Sequence, residues 1–289
     1  VNQLITKGYD LTVFTRGNNS VPKNVTHIAG DRNSVDLEKL KGKTFDVIID
    51  SSGRNLEQTK NVIDITGPPL HRFLYVSSAG IYKDCFSLPL DEDSKIDQSS
   101  RHIGKAHTEE WLKQSKIPFT IFRPTYIYGP GNYNPIEEWF FDRIVHNRPI
   151  PIPLDGSTIT QLGHVEDLAD AMLISLEKNV AKDSIYNCSG KKGITFKGLI
   201  YAASIACGKD PNEIKLVSYD PKGLDRKGRK VFPLRINHFL TDTSLIEREL
   251  NWKPKYSLEK GLLDSFENDY LKNSKTKPEF KIDIDIIGY

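Results

Sequence analysis

The chain has 289 residues and a formal net charge of +2 at pH 7. Its length and its 38% hydrophobic content are enough for one large domain, or for a large and a small one. The small net charge argues against binding of polyanions over the whole surface, and no apolar run approaches the roughly 18 to 20 residues that span a bilayer. Three scattered cysteines without a CxxC pair favour reduced thiols in a cytosol-like compartment over a metal or redox site.

The first residues, VNQLITKGYDLTVFTRG, predict the end of a helix followed by a strand. Val1, Leu4 and Ile5 share one helical face, Gly8 ends the helix, and an apolar strand follows. An α/β domain that begins in mid-helix lacks the strand before it. We therefore expect the native protein to carry an amino-terminal segment with a first strand and a glycine-rich turn.

Strand-like apolar runs alternate with segments of helical spacing. Nearly continuous apolar strands separated by helices predict a Rossmann-type, doubly wound parallel α/β sheet that binds ligands at the carboxyl ends of its strands. We expect a nucleotide-binding domain over residues 1–150 and a smaller α/β lobe over 151–289 that partly returns to the sheet. The predicted strands are 11–14, 25–30, 45–50, 72–78, 119–124 and 184–190, and the main predicted helices are 55–66, 104–115, 134–147 and 165–178.

Polar residues follow several of these strands. Arg16 ends the first, where an acidic residue would bind a ribose 2′-hydroxyl and an arginine accommodates a 2′-phosphate, so a bound dinucleotide is expected to be NADP rather than NAD. Asp31 could accept a hydrogen bond from an adenine amino group, although aspartate is common in turns. Ser77 and Ser78 end a buried strand, and Tyr82 lies four residues after Ser78.

A set of motifs, GDR, VSSAGIY, RPTYIYGPGN, GHVEDLADA and YNCSG, occurs in the order seen in extended short-chain dehydrogenases/reductases, the sugar-nucleotide epimerases and dehydratases. The resemblance covers nearly the whole chain. It implies a Rossmann domain with a carboxyl-terminal substrate lobe, Ser78 as the active serine and Lys105 as the active lysine. It also implies that Ser77, Lys105 and Pro124 contact a nicotinamide dinucleotide.

Two positions depart from that family. Arg101 stands four residues before Lys105, where the family has its proton-shuttling tyrosine, and a guanidinium is always protonated at physiological pH and cannot act as the base. Thr160 stands where an arginine usually clamps the nucleotide diphosphate. A fixed cation beside Lys105 and Ser78 instead suits a phosphate group, from a dinucleotide or from RNA.

A narrower resemblance accounts for both departures. The segments SSRHIGK, YGPGNYNPIEEWFFDRI, RPIPIP, QLGHVEDLA and FPLRINHF resemble the chloroplast stem-loop-binding proteins and their cyanobacterial relatives. This resemblance implies RNA binding, endoribonuclease activity on stem-loops, assembly with itself or with relatives, and a plastid stroma or cyanobacterial cytoplasm.

A basic segment over residues 219–239 favours RNA once this resemblance is taken into account, whereas its composition alone favours a solvated loop. Its cations could neutralise phosphates while Phe232 stacks on unpaired bases, although a solvated charged loop has the same composition. The predicted RNA-binding residues are Arg226, Lys227, Arg229, Lys230, Phe232 and Arg235.

RNA cleavage needs a base for the 2′-hydroxyl or a metal-bound water, and the sequence offers candidates without a recognisable constellation. The bases would be His102, His107 or His164. A divalent metal could be held by Asp91, Glu92 and Asp93 or by Glu137 and Glu138, but we assign no metal ligand from the sequence. An acidic loop and an acidic helix start explain these carboxylates equally well.

Two other functions stay open at this point. The first is an NADP-dependent epimerase or reductase in which Tyr82 or Tyr126 has become the base. The second is a catalytically silent, nucleotide-sensing scaffold subunit, which would bind nucleotide and RNA and turn over neither.

Overall fold

The computed structural model describes residues 1–224, 231–273 and 278–288. Its central element is a parallel sheet in the order β10-β5-β4-β3, formed by β3 (Val47–Asp50), β4 (Arg72–Val76), β5 (Phe119–Pro124) and β10 (Ser184–Cys188). This confirms the Rossmann-like parallel class. Over the described residues, no helix is both long enough and apolar enough to cross a bilayer.

The central strands are apolar runs because helices cover both of their faces. Phe73 and Tyr75 of β4 pack with Ile63 of α2 (Leu56–Thr66) and Leu112 of α3 (Ile103–Gln114). Leu74 and Val76, which point the other way, pack with Leu168 of α5 (Val165–Leu176) and with Trp252. Full burial of such a side chain contributes about 1.5–3 kcal/mol.

A second parallel pair, β1 (Thr12–Thr15) and β2 (Thr26–Ala29), follows the short helix α1 (Asn2–Thr6). Gly8 has a φ of +80°, as its place at the helix end requires. After β2, the Arg32 guanidinium donates to both carboxylate oxygens of Asp50 at 2.7 and 2.9 Å. This ion pair ties the carboxyl end of β2 to the carboxyl end of β3.

The second core combines α4 (Ile136–Val145), α6 (Phe196–Ala206) and α8 (Leu258–Ser265). The strands β7 (Ile150–Pro153) and β12 (Leu216–Tyr219) pair in parallel, and α9 (Lys281–Ile287) packs against both. Because α4 precedes residue 150 while β10 returns to the main sheet after it, the two cores interleave along the chain.

Two short strand pairs and one helix complete the fold. The strands β6 (Tyr126–Tyr128) and β9 (Leu162–His164) pair in parallel. The two-residue strands β8 (Ile159–Thr160) and β11 (Ile194–Thr195) are antiparallel. The helix α7 (Ser244–Leu250) packs on β10. Chain segments from both lobes therefore meet beyond the carboxyl ends of β4 and β5.

Candidate functional site

The turn after β4 places Ser77 and Ser78 at the carboxyl edge of the sheet. The Ser77 amide donates to the Phe122 carbonyl at 2.8 Å, which fixes this turn against β5. Its hydroxyl is buried and has no hydrogen-bond partner among the described residues. Ser78 is half-buried, and its hydroxyl accepts from the Gly80 amide at 3.0 Å. The structure thus brings both serines to the edge at which ligands of this sheet class bind.

Lys105, in the first turn of α3, reaches the same turn. Its ammonium group donates to the Val76 carbonyl at 2.5 Å and lies 5.3 Å from the Tyr75 ring centroid. Burial lowers the pKa of Lys105 to about 8, against the attraction of Asp50 and Glu109. Ser77, Ser78 and Lys105 are therefore adjacent, as expected.

Arg101 and His102 belong to a segment that packs against the serine turn. Arg101 is exposed, and its Nε donates to Nε2 of His102 at 3.0 Å. Ser100 links the two segments, because its hydroxyl donates to the Gly80 carbonyl at 2.8 Å and accepts from the His102 amide at 3.1 Å. A Cβ at Gly80 would lie 2.7 Å from the His102 ring, so only glycine permits this close packing.

Four cationic side chains lie near enough to His102 to act on its ring electrostatically. Burial, followed by the positive charges of Arg101, Lys105, Arg235 and Arg54, lowers the pKa of His102 to about 4. The histidine is therefore neutral at physiological pH. We refer to Arg54, Arg101, Lys105 and Arg235 as the cationic edge.

Arg235 is positioned by contacts with both lobes. Its amide donates to the Tyr126 hydroxyl at 2.8 Å, and its guanidinium lies 4.7 Å from the Phe239 ring centroid and 3.6 Å from an Asp84 carboxylate oxygen. Asn237 Nδ2 donates to the other Asp84 oxygen at 2.5 Å. Asp84 therefore fixes the loop after Tyr82 beside Arg235.

Tyr82 is not available as a displaced base, which corrects one expectation. Its side chain is 0% exposed, its hydroxyl donates to Asn187 Oδ1 at 2.7 Å, and that hydroxyl accepts from Arg123 at 2.9 Å. Burial raises the pKa of Tyr82 well above its usual value. Burial also raises the pKa of Tyr126, whose hydroxyl accepts from the Arg235 amide.

Phe232 is a second correction, because its ring lies in the core of the second lobe and not at the surface. Its side chain is 3% exposed, and its ring centroid lies 4.5 Å from Phe196 and 5.4 Å from Trp139. It cannot stack on RNA bases without unpacking this core. The other residues predicted with it, Arg226, Lys227, Arg229 and Lys230, lie outside the described residues.

The residues expected to hold a dinucleotide are spread along the carboxyl edge of the strands. Arg16 is exposed immediately after β1, and Pro124 is the buried last residue of β5. Asp31 Oδ1 accepts from the Asn33 amide at 2.9 Å and from its side chain at 3.1 Å, turn bonds that compete with an adenine contact. The unpartnered Ser77 hydroxyl, Lys105 and the exposed Arg16 fit a dinucleotide.

The candidates for RNA cleavage do not converge. His164 is buried and stacked on Tyr256 at 3.7 Å, and Glu137 is buried at the start of α4. Asp91 and Asp93 are exposed, whereas Glu92 accepts from the Asn187 amide at 2.7 Å. Over residues 1–224, 231–273 and 278–288, no group of three or more His, Cys, Asp or Glu side chains could hold a metal ion. Of these candidates, His102 lies at the cationic edge.

Sequence reasoning missed two features of this site. Arg54 joins the cationic edge from the loop before α2, where Gly104 allows α3 to approach: a Cβ there would lie 2.7 Å from the Arg54 carbonyl oxygen. Phe86, in the loop that Asp84 holds, is fully exposed. Neither residue belongs to a motif, so no sequence signal marked them.

Comparisons with known proteins agree with this geometry. Residues 50–189 match the model of the NAD dependent epimerase/dehydratase family. The chain is 40% identical, over 92% of its length and 74% of the relative's, to the chloroplast stem-loop binding protein of 41 kDa b of Arabidopsis thaliana. Its fold matches the UDP-glucose 4-epimerase of Thermotoga maritima with UDP-glucose, at a TM-score of 0.76, 19% identity and 94% coverage of both chains. It also matches the UDP-glucuronic acid 4-epimerase of Bacillus cereus in complex with NAD, at a TM-score of 0.75, 19% identity and coverage of 95% and 94%.

Proposed function

Because the chain belongs to the NAD-dependent epimerase/dehydratase family but has an arginine at the position of the family's tyrosine, we propose that it is a stem-loop RNA-binding protein on an epimerase-like scaffold. The observation that carries the proposal is the cationic edge, in which exposed Arg101 contacts His102 and Arg235 is held by Tyr126 and Asp84. The relative of 40% identity is itself a stem-loop binding protein of the chloroplast, which favours RNA and a plastid location for this chain.

The residues of the edge have distinct tasks. Arg101 is exposed and donates from Nε to His102, so its two terminal nitrogens bind a phosphate in a forked geometry. Arg235 approaches from the second lobe, so a bound backbone bridges the two lobes. Lys105 remains tied to the Val76 carbonyl and contributes charge from behind the turn.

The segment carrying Arg226, Lys227, Arg229 and Lys230 supplies further phosphate contacts in this proposal. It lies between Leu224 and Val231, outside the described residues, and leads directly into the chain that bears Arg235. Each phosphate contact that forms should add nearly one to the slope of log K against log salt. Neutralising all four residues together should therefore flatten the salt dependence, and an unchanged slope would exclude the segment.

The same proposal includes a nicotinamide dinucleotide that binds beside the RNA. Ser77, Lys105 and Arg16 would hold it, with NADP favoured over NAD by the cation at Arg16. Such a cofactor supplies hydride-transfer chemistry when bound. The hydroxyls of Tyr82 and Tyr126, the two residues considered as a displaced base, are both engaged in hydrogen bonds, so we assign the dinucleotide a structural or sensing role.

The test is fluorescence anisotropy of a labelled stem-loop RNA at several salt concentrations, followed by a gel of the same RNA. Arg101→Gln/Arg235→Gln should weaken binding and reduce the salt slope by about 2. Lys43→Gln/Lys116→Gln removes the same charge at the opposite, amino edge of the sheet and should change neither. Equal effects of both pairs, or no saturable binding by the wild type at low salt, would reject the proposal. Fragments on the gel that the wild type produces would add nuclease activity to it.

A further inference from the structure

A fully exposed aromatic side chain, Phe86, lies beside the cationic edge. It follows Asp84 by two residues, and Asp84 contacts Arg235 at 3.6 Å and Asn237 at 2.5 Å. Two residues of chain span at most about 7 Å. The Phe86 Cα therefore lies within about 7 Å of the Asp84 Cα, on the loop that contacts Arg235.

Exposure alone does not make Phe86 a binding residue, since single exposed apolar side chains are common. Its neighbourhood distinguishes it. Arg235 is fixed next to its loop, and Lys83, three residues before it, is also exposed. Proteins that bind single-stranded nucleic acid combine these two features, a cationic groove for phosphates and an aromatic face for bases.

The two parts of a stem-loop present different chemistry to such a surface. Bases in the paired stem are stacked on each other, so a stem offers mainly phosphates and hydroxyls. Bases in the loop are unpaired and can be turned outward onto an aromatic ring. A cationic edge serves both parts, whereas an exposed phenylalanine serves only the loop.

We propose that Phe86 stacks on an unpaired base of the RNA loop while the cationic edge binds the adjacent phosphates. This inference rests on the proposed RNA-binding function and assigns to Phe86 the stacking role that buried Phe232 cannot perform. It makes the protein selective for RNA with a single-stranded loop over duplex of the same charge.

The experiment measures the affinities of the wild type and of Phe86→Ala for a stem-loop and for a duplex with the same number of phosphates. Loss of one stack should weaken stem-loop binding by about 5- to 150-fold and leave the salt slope and the duplex affinity unchanged. Leu70→Ala is the matched control, because Leu70 is 72% exposed at the amino edge of the sheet, where its amide donates to the Phe45 carbonyl. It should bind both RNAs as the wild type does.

A second measurement identifies the base. Stem-loops with one abasic loop position each are titrated with both proteins; one position should weaken binding to the wild type and have no further effect on Phe86→Ala. If the wild type binds the stem-loop and Phe86→Ala binds it equally well, the inference is wrong and the proposed function is unaffected. An equal loss on duplex, or a change of oligomeric state in sedimentation, would also overturn it, whereas no RNA binding by the wild type would overturn both.

Discussion

The Arg101 guanidinium donates from Nε to Nε2 of His102 at 3.0 Å. This bond engages the Nε2 lone pair, so the neutral imidazole carries its proton on Nδ1. Burial, and after it the positive charges of the cationic edge, disfavour a second proton and lower the pKa of His102 to about 4. The pKa of His102 therefore depends in part on the charge at this edge.

Phosphate binding at the cationic edge should raise the pKa of His102 from about 4, because bound anions offset the part of the shift that the nearby cations cause, while the part caused by burial stays. By linkage, RNA affinity should then increase as pH falls from about 6.5 to 4. The total increase should be about tenfold for each pH unit by which RNA raises the His102 pKa. Proton–carbon NMR of the histidine Cε1 positions with and without RNA measures this change. His102→Gln should abolish the pH effect and exposed His107→Gln should keep it; a His102 pKa unmoved by saturating RNA would contradict the assignment.

Arg16 should determine which dinucleotide binds. Arg16→Ala removes the cation placed for a 2′-phosphate, so it should weaken NADPH binding by roughly tenfold or more and leave NADH binding nearly unchanged. Protein-dependent nicotinamide fluorescence measures both affinities without requiring turnover. Lys23→Ala, an exposed cation in the loop between β1 and β2, is the control. An equal loss for both dinucleotides would argue against a 2′-phosphate contact.

The main sheet could be predicted from sequence because buried parallel strands are apolar on both faces. Every strand of that sheet lies within its predicted run, and β4 is buried at all five positions. The pair β7 and β12 was missed, because Pro151 and Pro153 are unusual in strands. Within the described sheets, β7 pairs with β12 alone, so only one of its two edges forms backbone hydrogen bonds. The Ile150 amide donates to the Lys215 carbonyl on that edge, and the two prolines, which have no amide hydrogen, occupy the alternate positions.

The site was harder to predict than the sheet. The proximity of Ser78, Lys105 and Arg101 could be predicted from their motifs, whereas their role at a site stays a prediction. The burial of Phe232 depends on Trp139, Phe140 and Phe196, which are distant in sequence, so an aromatic residue in a basic segment could not be assigned to surface or core. The same reason hid Arg54 and Phe86, whose places at the edge are set by tertiary contacts.

Breaking the buried ion pair beneath the site should destabilise the protein strongly. Arg123 donates to Glu109 at 3.1 and 2.5 Å, and both side chains are 2% exposed. Glu109→Gln leaves the buried cation without its counter-charge and should lower the free energy of unfolding by about 3 kcal/mol. Glu109→Leu/Arg123→Met, which removes both charges, should lower it by less than the sum of the single changes. Urea unfolding measures all of them, and a loss below about 1 kcal/mol for Glu109→Gln would show that water reaches the pair.

Glu137 should make the protein less stable as pH rises through neutrality. Its Oε1 accepts from the Gly129 amide at 2.8 Å and from the Ser265 hydroxyl at 3.1 Å, while its buried Oε2 has no hydrogen-bond partner among the described residues. Burial raises the pKa of Glu137 from 4.5 to about 7, and the nearby Glu138 charge adds to this effect.

The sign follows from proton binding. Between pH 4.5 and 7 the folded protein keeps the Glu137 proton that the unfolded chain has released, so the stability this proton provides is complete below pH 4.5 and lost as pH rises through 7. The full effect is about 3 kcal/mol.

Glu137→Gln keeps an oxygen acceptor for both donors and removes the charge. Urea unfolding at pH 5 and pH 8 should therefore show a smaller loss of stability for Glu137→Gln than for the wild type, and a higher stability of the variant at pH 8. Glu57→Gln, an exposed carboxylate in the first turn of α2, should follow the wild type at both values. If Glu137→Gln and the wild type change in parallel, the carboxyl group is ionised in the folded protein throughout this range and water or local motion solvates it.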